Sequence, residues 1–533
     1  MANKNLFKSV SNSIKSVVAP KADTTNNAGG KAYKFDKKHA LAQISCTNCF
    51  NGTFYASAEQ NLKLAKDAAM ELLDDPEFIA KVAVYSRDKG YMKDMPAFLT
   101  VVLADTDKKL FRSVFRKVVD NGKMLRNVIQ MGRSGAVTGK KFNMSSGTWR
   151  HAIQEWFDSK SPRALFKASI GNDPSMRDIL RMARPRPNTP EKEALFGYFL
   201  GKDVDLDRLP EEVRLYEQFK KDKSGPVPDV DFRMLDSLGI GKKEWTEIAL
   251  RAPWMMTRMN LNTFARHGVF ENSVAAREVQ DRLKDREQIE KARQFPYQMF
   301  VAWRETSSNN DIPFGVKDAL QDAMEISIDN VPALPGHGFV CVDTSGSMGS
   351  PVTGSSGYGR PASSVQCVEV AGLIASAVYR KNRDADIYTF SSNAVKVNLN
   401  PRDTVITNTQ KLAKAGGGTN VSAPLRDLNN QNAKGDWVLY VSDYESWIDS
   451  GSTYSYYGTG LAEEWKKFKA RNPKAKLICC DLTPRSNSQI KTQKDVLQVG
   501  GFSDQVFDVM AGFLEHGHET DHWVETIEKV DLG

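Results

Sequence analysis

Cysteine is scarce, with six in 533 residues. That is too few for a disulfide framework, and the expected compartment is a reducing one. Long apolar runs are also missing. No stretch approaches the ~18 uncharged apolar residues of a membrane-spanning helix. The first 30 residues hold no apolar segment of the kind a secretory signal needs. A cytoplasmic protein with no membrane partner is therefore expected. Only seven histidines occur, and no nucleophile–base constellation can be traced, so a catalyst is not expected. What remains is a folded composition, 41% hydrophobic and 26% charged, which argues against disorder throughout.

Charge is unevenly spread. The chain carries +8 overall, but residues 108–187 alone hold 18 Lys and Arg against 5 Asp and Glu. Such an excess suggests the footprint of a polyanion. The block contains Lys140 and Lys141 in a Gly/Ser-rich loop, Arg150, Lys167 and Arg186. It also contains Arg177, Arg181 and Arg184, spaced i, i+4 and i+7 on one predicted helix, 175–184. These eight residues are the expected nucleic-acid contacts. Such side chains neutralise phosphate without distinguishing RNA from DNA.

Organisation changes along the chain. Residues 1–30 read as a flexible basic tail in which Phe7, Val10, Ile14 and Val17 fall at helical spacing. Residues 31–335 read as helices with apolar positions three and four apart, including 57–74, 76–86, 95–105, 109–120, 149–157 and 272–294. From 336 to 514, short apolar strands at 338–342, 385–390, 437–441 and 476–480 alternate with helices at 365–380, 408–415 and 460–470. That alternation predicts a parallel, doubly wound (Rossmann-like) α/β sheet. Residues 515–533 read as a C-terminal tail.

The strongest local pattern is Asp343-Thr344-Ser345-Gly346-Ser347-Met348, directly after the first of those strands. Ligands of doubly wound sheets bind at the carboxyl ends of strands. Thr419, in a Gly-rich loop, and Asp443, just past the strand 437–441, are expected on the same edge. Two carboxylates and several hydroxyls form an oxygen-only donor set, which suits Mg²⁺ or another hard divalent cation.

This constellation resembles the metal-ion-dependent adhesion site of von Willebrand factor A domains, and the whole chain resembles the Ro autoantigen family, bacterial-type orthologues included. The resemblance spans about residues 31–514. It rests on Gly52-Thr53-Phe54-Tyr55, Ser175–Pro185, Lys291–Pro296, Asp343–Met348, Gly417–Pro424 and Val441–Ser446. It implies a TROVE module, a ring of HEAT-like helical repeats that binds RNA, followed and closed by the A domain. It further implies a monomeric ring that binds small noncoding, Y-type RNA outside and the single-stranded ends of misfolded RNA at its hole. The implied role is a scaffold in RNA quality control or processing, partnered by an exoribonuclease such as polynucleotide phosphorylase. Lys167 and Arg184 fall where family members present RNA contacts. Gly171 falls where relatives can carry an arginine contact. The alternative is a Mg²⁺-dependent protein-interaction module for which RNA is incidental.

Four weaker patterns are read as decoys. His518-Glu519-Thr520-Asp521-His522 spells H-E-x-x-H, but no third zinc ligand follows. The segment Gly132–Lys141 fails phosphate-loop spacing. Cys46 and Cys49 form a lone pair near His39. Gly/Ser/Tyr-rich stretches at 350–364 and 450–460, carrying Tyr358, Tyr454, Tyr456 and Tyr457, flank the expected metal edge.

Overall fold

The computed structural model describes residues 20–145, 147–223, 225–291, 296–355, 364–448, 458–503, 505–516 and 521–533. The expected amphipathic segment at 7–17, the four loop tyrosines, and His518 and Glu519 lie outside the described residues.

The helical region is punctuated by caps that the sequence spells out. Ser57 and Gln60 form a capping box at the start of Ala58–Met70. Asp75 caps Pro76–Asp88, its carboxylate accepting from the Phe78 N–H at 3.1 Å, with Pro76 in the first turn. Ser161 before Pro162–Ala168 and Thr189 before Pro190–Leu200 repeat the device. The expected helix 272–294 is broken into Ser273–Leu283 and Arg286–Lys291. Asp285 ends the first and caps the second, accepting from the Gln288 N–H at 3.1 Å. Capping competes there with the apolar period and wins. The helix around 175–184 ends at Ala183, and Arg184 is left-handed at φ 48°. Pro185 disfavours helical backbone at the residue before it, so Arg184 leaves the face shared by Arg177 and Arg181.

The α/β domain is built on a six-stranded sheet. The strands β3 (Gly338–Asp343), β4 (Asp386–Phe390), β5 (Ala394–Val397), β6 (Trp437–Ser442), β7 (Lys476–Asp481) and β9 (Val496–Gly500) run in the order β5-β4-β3-β6-β7-β9. All pairings are parallel except the β4–β5 edge. Side chains alternate between faces with period two. Val340, Val342, Leu439, Val441 and Ile478 pack toward Cys367–Lys381 and join the core of the helical array. Phe339, Cys341, Val438, Tyr440 and Cys479 pack toward Ala423–Asn430 and Gly460–Arg471. The edge strand β5 and the strand β9 were not expected. Half-exposed Lys396 and the Gln498 in β9 disguise them.

The ends of the chain are not tails where they are described. Strands β1 (Thr24–Thr25) and β2 (Lys31–Lys34) form a hairpin that pairs with β8 (Asn487–Ser488) of the α/β domain. The C-terminal helix His522–Glu528 packs on the first helices of the array. There the Trp523 indole donates to the Tyr85 hydroxyl at 3.1 Å. His39 meets Asp521 at 2.7 Å, and Lys38 and Lys81 both reach Glu528. Asp521 is the non-helical cap of that helix. The 518–522 pattern therefore straddles a helix start, so its two imidazoles cannot share a face by helical spacing.

The helical array begins and ends on the α/β domain. At its start, the Gln43 amide donates to the Thr483 carbonyl at 3.3 Å and the Ser503 hydroxyl to the Lys89 carbonyl at 3.2 Å. At its end, Glu325 accepts from Arg380 and from the Val405 N–H at 2.7 Å, and Arg304 pairs with Glu369 at 3.1 Å. The circuit of elements is closed.

Trp523 is fully buried. Trp523→Ala is expected to destabilise the protein by about 3–5 kcal/mol through cavity creation. Urea unfolding measures this, and an unchanged midpoint would show the C-terminal helix to be ornamental.

Candidate metal edge and basic face

Three loops at the carboxyl end of the sheet build the metal edge. β3 delivers Asp343 and, through the turn Gly346–Gly349, Ser345 and Ser347. The loop before Ala423–Asn430 delivers Thr419, and the end of β6 delivers Asp443. Backbone bonds lace them together. Gly346 N–H donates to Gly417 O at 3.0 Å and Gly416 N–H to Thr344 O at 2.7 Å. The Trp447 and Ile448 N–H groups both donate to Thr419 O at 3.2 Å. All five expected ligands are buried, none more than 3% exposed.

Asp343 is fixed by two donors, the Ser345 N–H at 2.8 Å and the Ser442 hydroxyl at 2.5 Å. Ser345 and Ser347 hydroxyls stand 3.3 Å apart. Burial, and then the charge of Asp443, push the Asp343 carboxyl well above its ordinary range. Asp481, at the end of β7, is pushed up to about 7 by burial, with Arg485 opposing and Asp443 and Glu445 adding to the rise. Burial also raises Glu445. Four buried carboxylates thus face one buried guanidinium, Arg485, which meets Asp481 at 2.6 Å and Glu445 at 3.9 Å. Among the described residues no three carboxylates, imidazoles or thiols converge as a metal cage. The donor set is instead two carboxylates completed by hydroxyls. That surplus of buried negative charge, with hard oxygen donors only, fits a divalent cation such as Mg²⁺.

The N-terminal hairpin braces the same edge. Asn27 and the Ala28 N–H donate to the Glu445 carboxylate at 2.8 and 3.1 Å, and Asn26 donates to Ser446 O at 2.7 Å. Gly30 lies so close that a Cβ there would sit 2.1 Å from Ser446 O. The bracing was invisible in sequence because its partners are about 420 residues apart.

The basic face is distributed. Lys167 lines two grooves of about 750 and 570 Å³. Lys123, Lys160 and Arg233 share the larger one. None of those three was singled out from sequence, although Lys123 and Lys160 belong to the basic block. Arg181 and Arg184 line a separate depression with Phe196. Arg150 stands one turn before Gln154, whose amide reaches the Ala183 and Arg184 carbonyls at 2.8 and 3.2 Å. Arg177 donates to Phe199 O at 3.3 Å. Lys140 is paired with Asp105 at 2.8 Å, Lys141 is exposed in the same loop, and Arg186 is exposed. No cavity gathers all eight. Gly171 adopts φ +115°, and a Cβ there would lie 2.9 Å from Arg126. Arg126 is buried, donating to Gly122, Ala168 and Pro174 carbonyls at 2.8, 2.6 and 3.2 Å.

The decoys fall away on geometry. A helix, Gly122–Ser134, precedes the Gly-rich 135–139 loop where a phosphate loop needs a strand. Burial pushes the Cys46 and Cys49 thiols up to about 12, which leaves them poor thiolates.

Residues 338–514 match the Ro60 vWA domain family. The chain belongs to the Ro family. It is 24% identical to the RNA-binding protein RO60 of Deinococcus radiodurans, over 92% of this chain and 94% of that protein. It superimposes on the crystal structure of the Deinococcus radiodurans Ro (RSR) protein with a TM-score of 0.62 at 18% identity, covering 90% of this chain and 99% of that one. The shared Ro fold accounts for the order of the helical array and the A-type domain.

The raised carboxyls set a pH dependence. Asp481 binds its proton more tightly folded than unfolded, so its contribution is complete below ~4 and lost as pH rises toward ~7. Without divalent cation, stability is expected to fall across that window, and Mg²⁺ to restore it at the upper end. Thermal melts at stepped pH, with and without chelator, read this. A flat, Mg²⁺-indifferent profile would remove the charge argument.

Proposed function

We propose that this Ro-family chain is an RNA-binding scaffold, not an enzyme. The observation that carries the reading is the groove around Lys167, with Lys123, Lys160 and Arg233 on its walls. Exposed Arg181 and Arg184 stand on the helix Met176–Ala183 and its cap. Cations at such positions bind phosphate backbones, and guanidinium planes stack on unpaired bases. The relative's name, RNA-binding protein RO60, selects RNA. The RNAs expected are small, structured Y-type RNA on the outer face and single-stranded ends of misfolded RNA at the ring. The setting is cytoplasmic RNA quality control or processing by a monomeric ring, with an exoribonuclease such as polynucleotide phosphorylase as partner.

Asp343, Ser345, Ser347, Thr419 and Asp443 would hold Mg²⁺, which supplies positive charge and an exchangeable position for an oxygen ligand. The chain's own residues keep that edge dry and rigid. Ser442 and the Ser345 N–H orient Asp343, and the 416–419 loop is tied to both neighbouring loops. A second reading, a Mg²⁺-dependent protein-docking edge with RNA incidental, is favoured by Trp447. It lies beside Gly418 and is 49% exposed.

The Lys167→Ala/Arg181→Ala/Arg184→Ala variant is expected to bind structured RNA at least about tenfold more weakly, with its log–log salt slope reduced by about 2. Asp343→Ala should bind RNA as the wild type does. Filter binding across a salt series reads both. Wild-type affinity in the triple variant would end the basic-face reading, and loss in Asp343→Ala would favour the second.

A further inference from the structure

Gly52-Thr53-Phe54-Tyr55 has no role in the reading above. It lies between Lys37–Thr47 and Ala58–Met70, at the start of the helical array. Its loop is held from within. The Asn48 amide donates to Asn61 O at 2.9 Å, and the Asn61 amide to Asn51 O at 2.7 Å. Both asparagines are buried.

The loop is then stitched to the α/β domain. Gly52 and Ser355 exchange backbone hydrogen bonds at 3.0 and 2.8 Å. The Asn51 amide reaches Thr353 O at 2.7 Å. Residues 351–355 follow directly on the turn Gly346–Gly349, which carries Ser347. This stitching delivers half-buried Tyr55 to the metal edge. Its hydroxyl engages Ser347, and Asp443, Glu445 and Asp343 all act on it. Phe54 packs edge-on against the Tyr55 ring at 4.8 Å.

A phenol is both donor and acceptor. Beside Ser347 it adds one more oxygen to an edge made of hydroxyls and carboxylates, and it comes from the other domain. We infer that Tyr55 turns the metal edge into an intramolecular latch: it stands where an outside carboxylate would approach Ser347, and cation occupancy and docking of the array's first loop stabilise each other. The inference rests on reading this edge as a Mg²⁺ site. Coupling of this kind is reciprocal. Whatever loosens the 51–55 loop weakens the cation, and the cation tightens the loop. An external acidic partner can reach the edge only after Tyr55 has left it.

The test uses the full chain. Mg²⁺ affinity is measured by calorimetry for wild type, Tyr55→Phe and Asp343→Ala. Amide exchange is followed at 51–55, 343–348 and 351–355 with and without Mg²⁺. In the wild type, Mg²⁺ should slow exchange in all three segments. Tyr55→Phe should bind Mg²⁺ about fivefold or more weakly, and its 51–55 amides should no longer respond to Mg²⁺. Its melting temperature in chelator should stay that of the wild type, which separates the latch from a folding defect. Wild-type Mg²⁺ affinity in Tyr55→Phe, with loss in Asp343→Ala, would overturn the latch and leave the metal site standing. No Mg²⁺ binding by the wild type, or full binding by Asp343→Ala, would overturn both.

Discussion

A helical array whose two ends must meet one α/β domain is the constraint on which this structure depends. Each helix pair in such an array contacts mainly its neighbours, so local packing alone does not fix where the last pair lands. Here the ends are fixed by specific polar partners. Glu325 holds Arg380 and the Val405 N–H at one end, and Gln43, Asn51 and Gly52 hold the other. The C-terminal helix then packs on the first helices, with Trp523 against Tyr85. The chain therefore closes twice, once through the A-type domain and once through its own last segment.

Closure places the first loop of the array beside the most highly charged interior in the molecule. β3, β6 and β7 each end in or just before an aspartate, and Glu445 follows. Parallel strands bring such ends to one edge by construction. One guanidinium cannot balance four buried carboxylates, and burying unpaired charge is expensive. Either protons or a cation must make up the difference. Both answers bind the folded state and not the unfolded one, so both link stability to the medium. The N-terminal hairpin contributes through Asn27 and the Ala28 N–H, which satisfy the remaining carboxylate oxygens of Glu445 without adding charge.

Much of this was legible in the sequence, for a definite reason. The core strands of the sheet are continuous apolar runs, and Asp343, Ser345, Ser347, Thr419 and Asp443 follow strand ends or a glycine-rich turn. Such features are local, and the structure brings these five residues to one edge. What escaped was non-local or masked. β5 carries a lysine on an edge where solvent tolerates it. The hairpin and the last helix each find partners across 400 or more residues. Arg184 left its helix because of the proline after it, a cue that the i, i+4, i+7 count ignored. Tyr55 was part of a family resemblance but had no chemistry until the fold set it beside Ser347.

The relation between Gly171 and Arg126 shows how a binding face can be altered without losing its charge. Sequence alone reads Gly171 as a missing basic contact. In the fold, Arg126 comes to that very spot, but from inside, and spends its donors on three backbone carbonyls. It holds the 168–174 turn in place. With that guanidinium committed, the phosphate-facing charge of the groove falls to Lys123, Lys160, Lys167 and Arg233. Arg233 is itself bidentate to Asp231 at 2.9 Å, so its charge is partly offset. The three lysines thus carry most of the groove's field. Lysine acts as a compact point charge, whereas arginine recognises phosphate through a planar fork. A face of this composition tracks a phosphate backbone with little demand on geometry, and specificity among RNAs must then come from shape, from the exposed Arg181 and Arg184, or from what the ring admits.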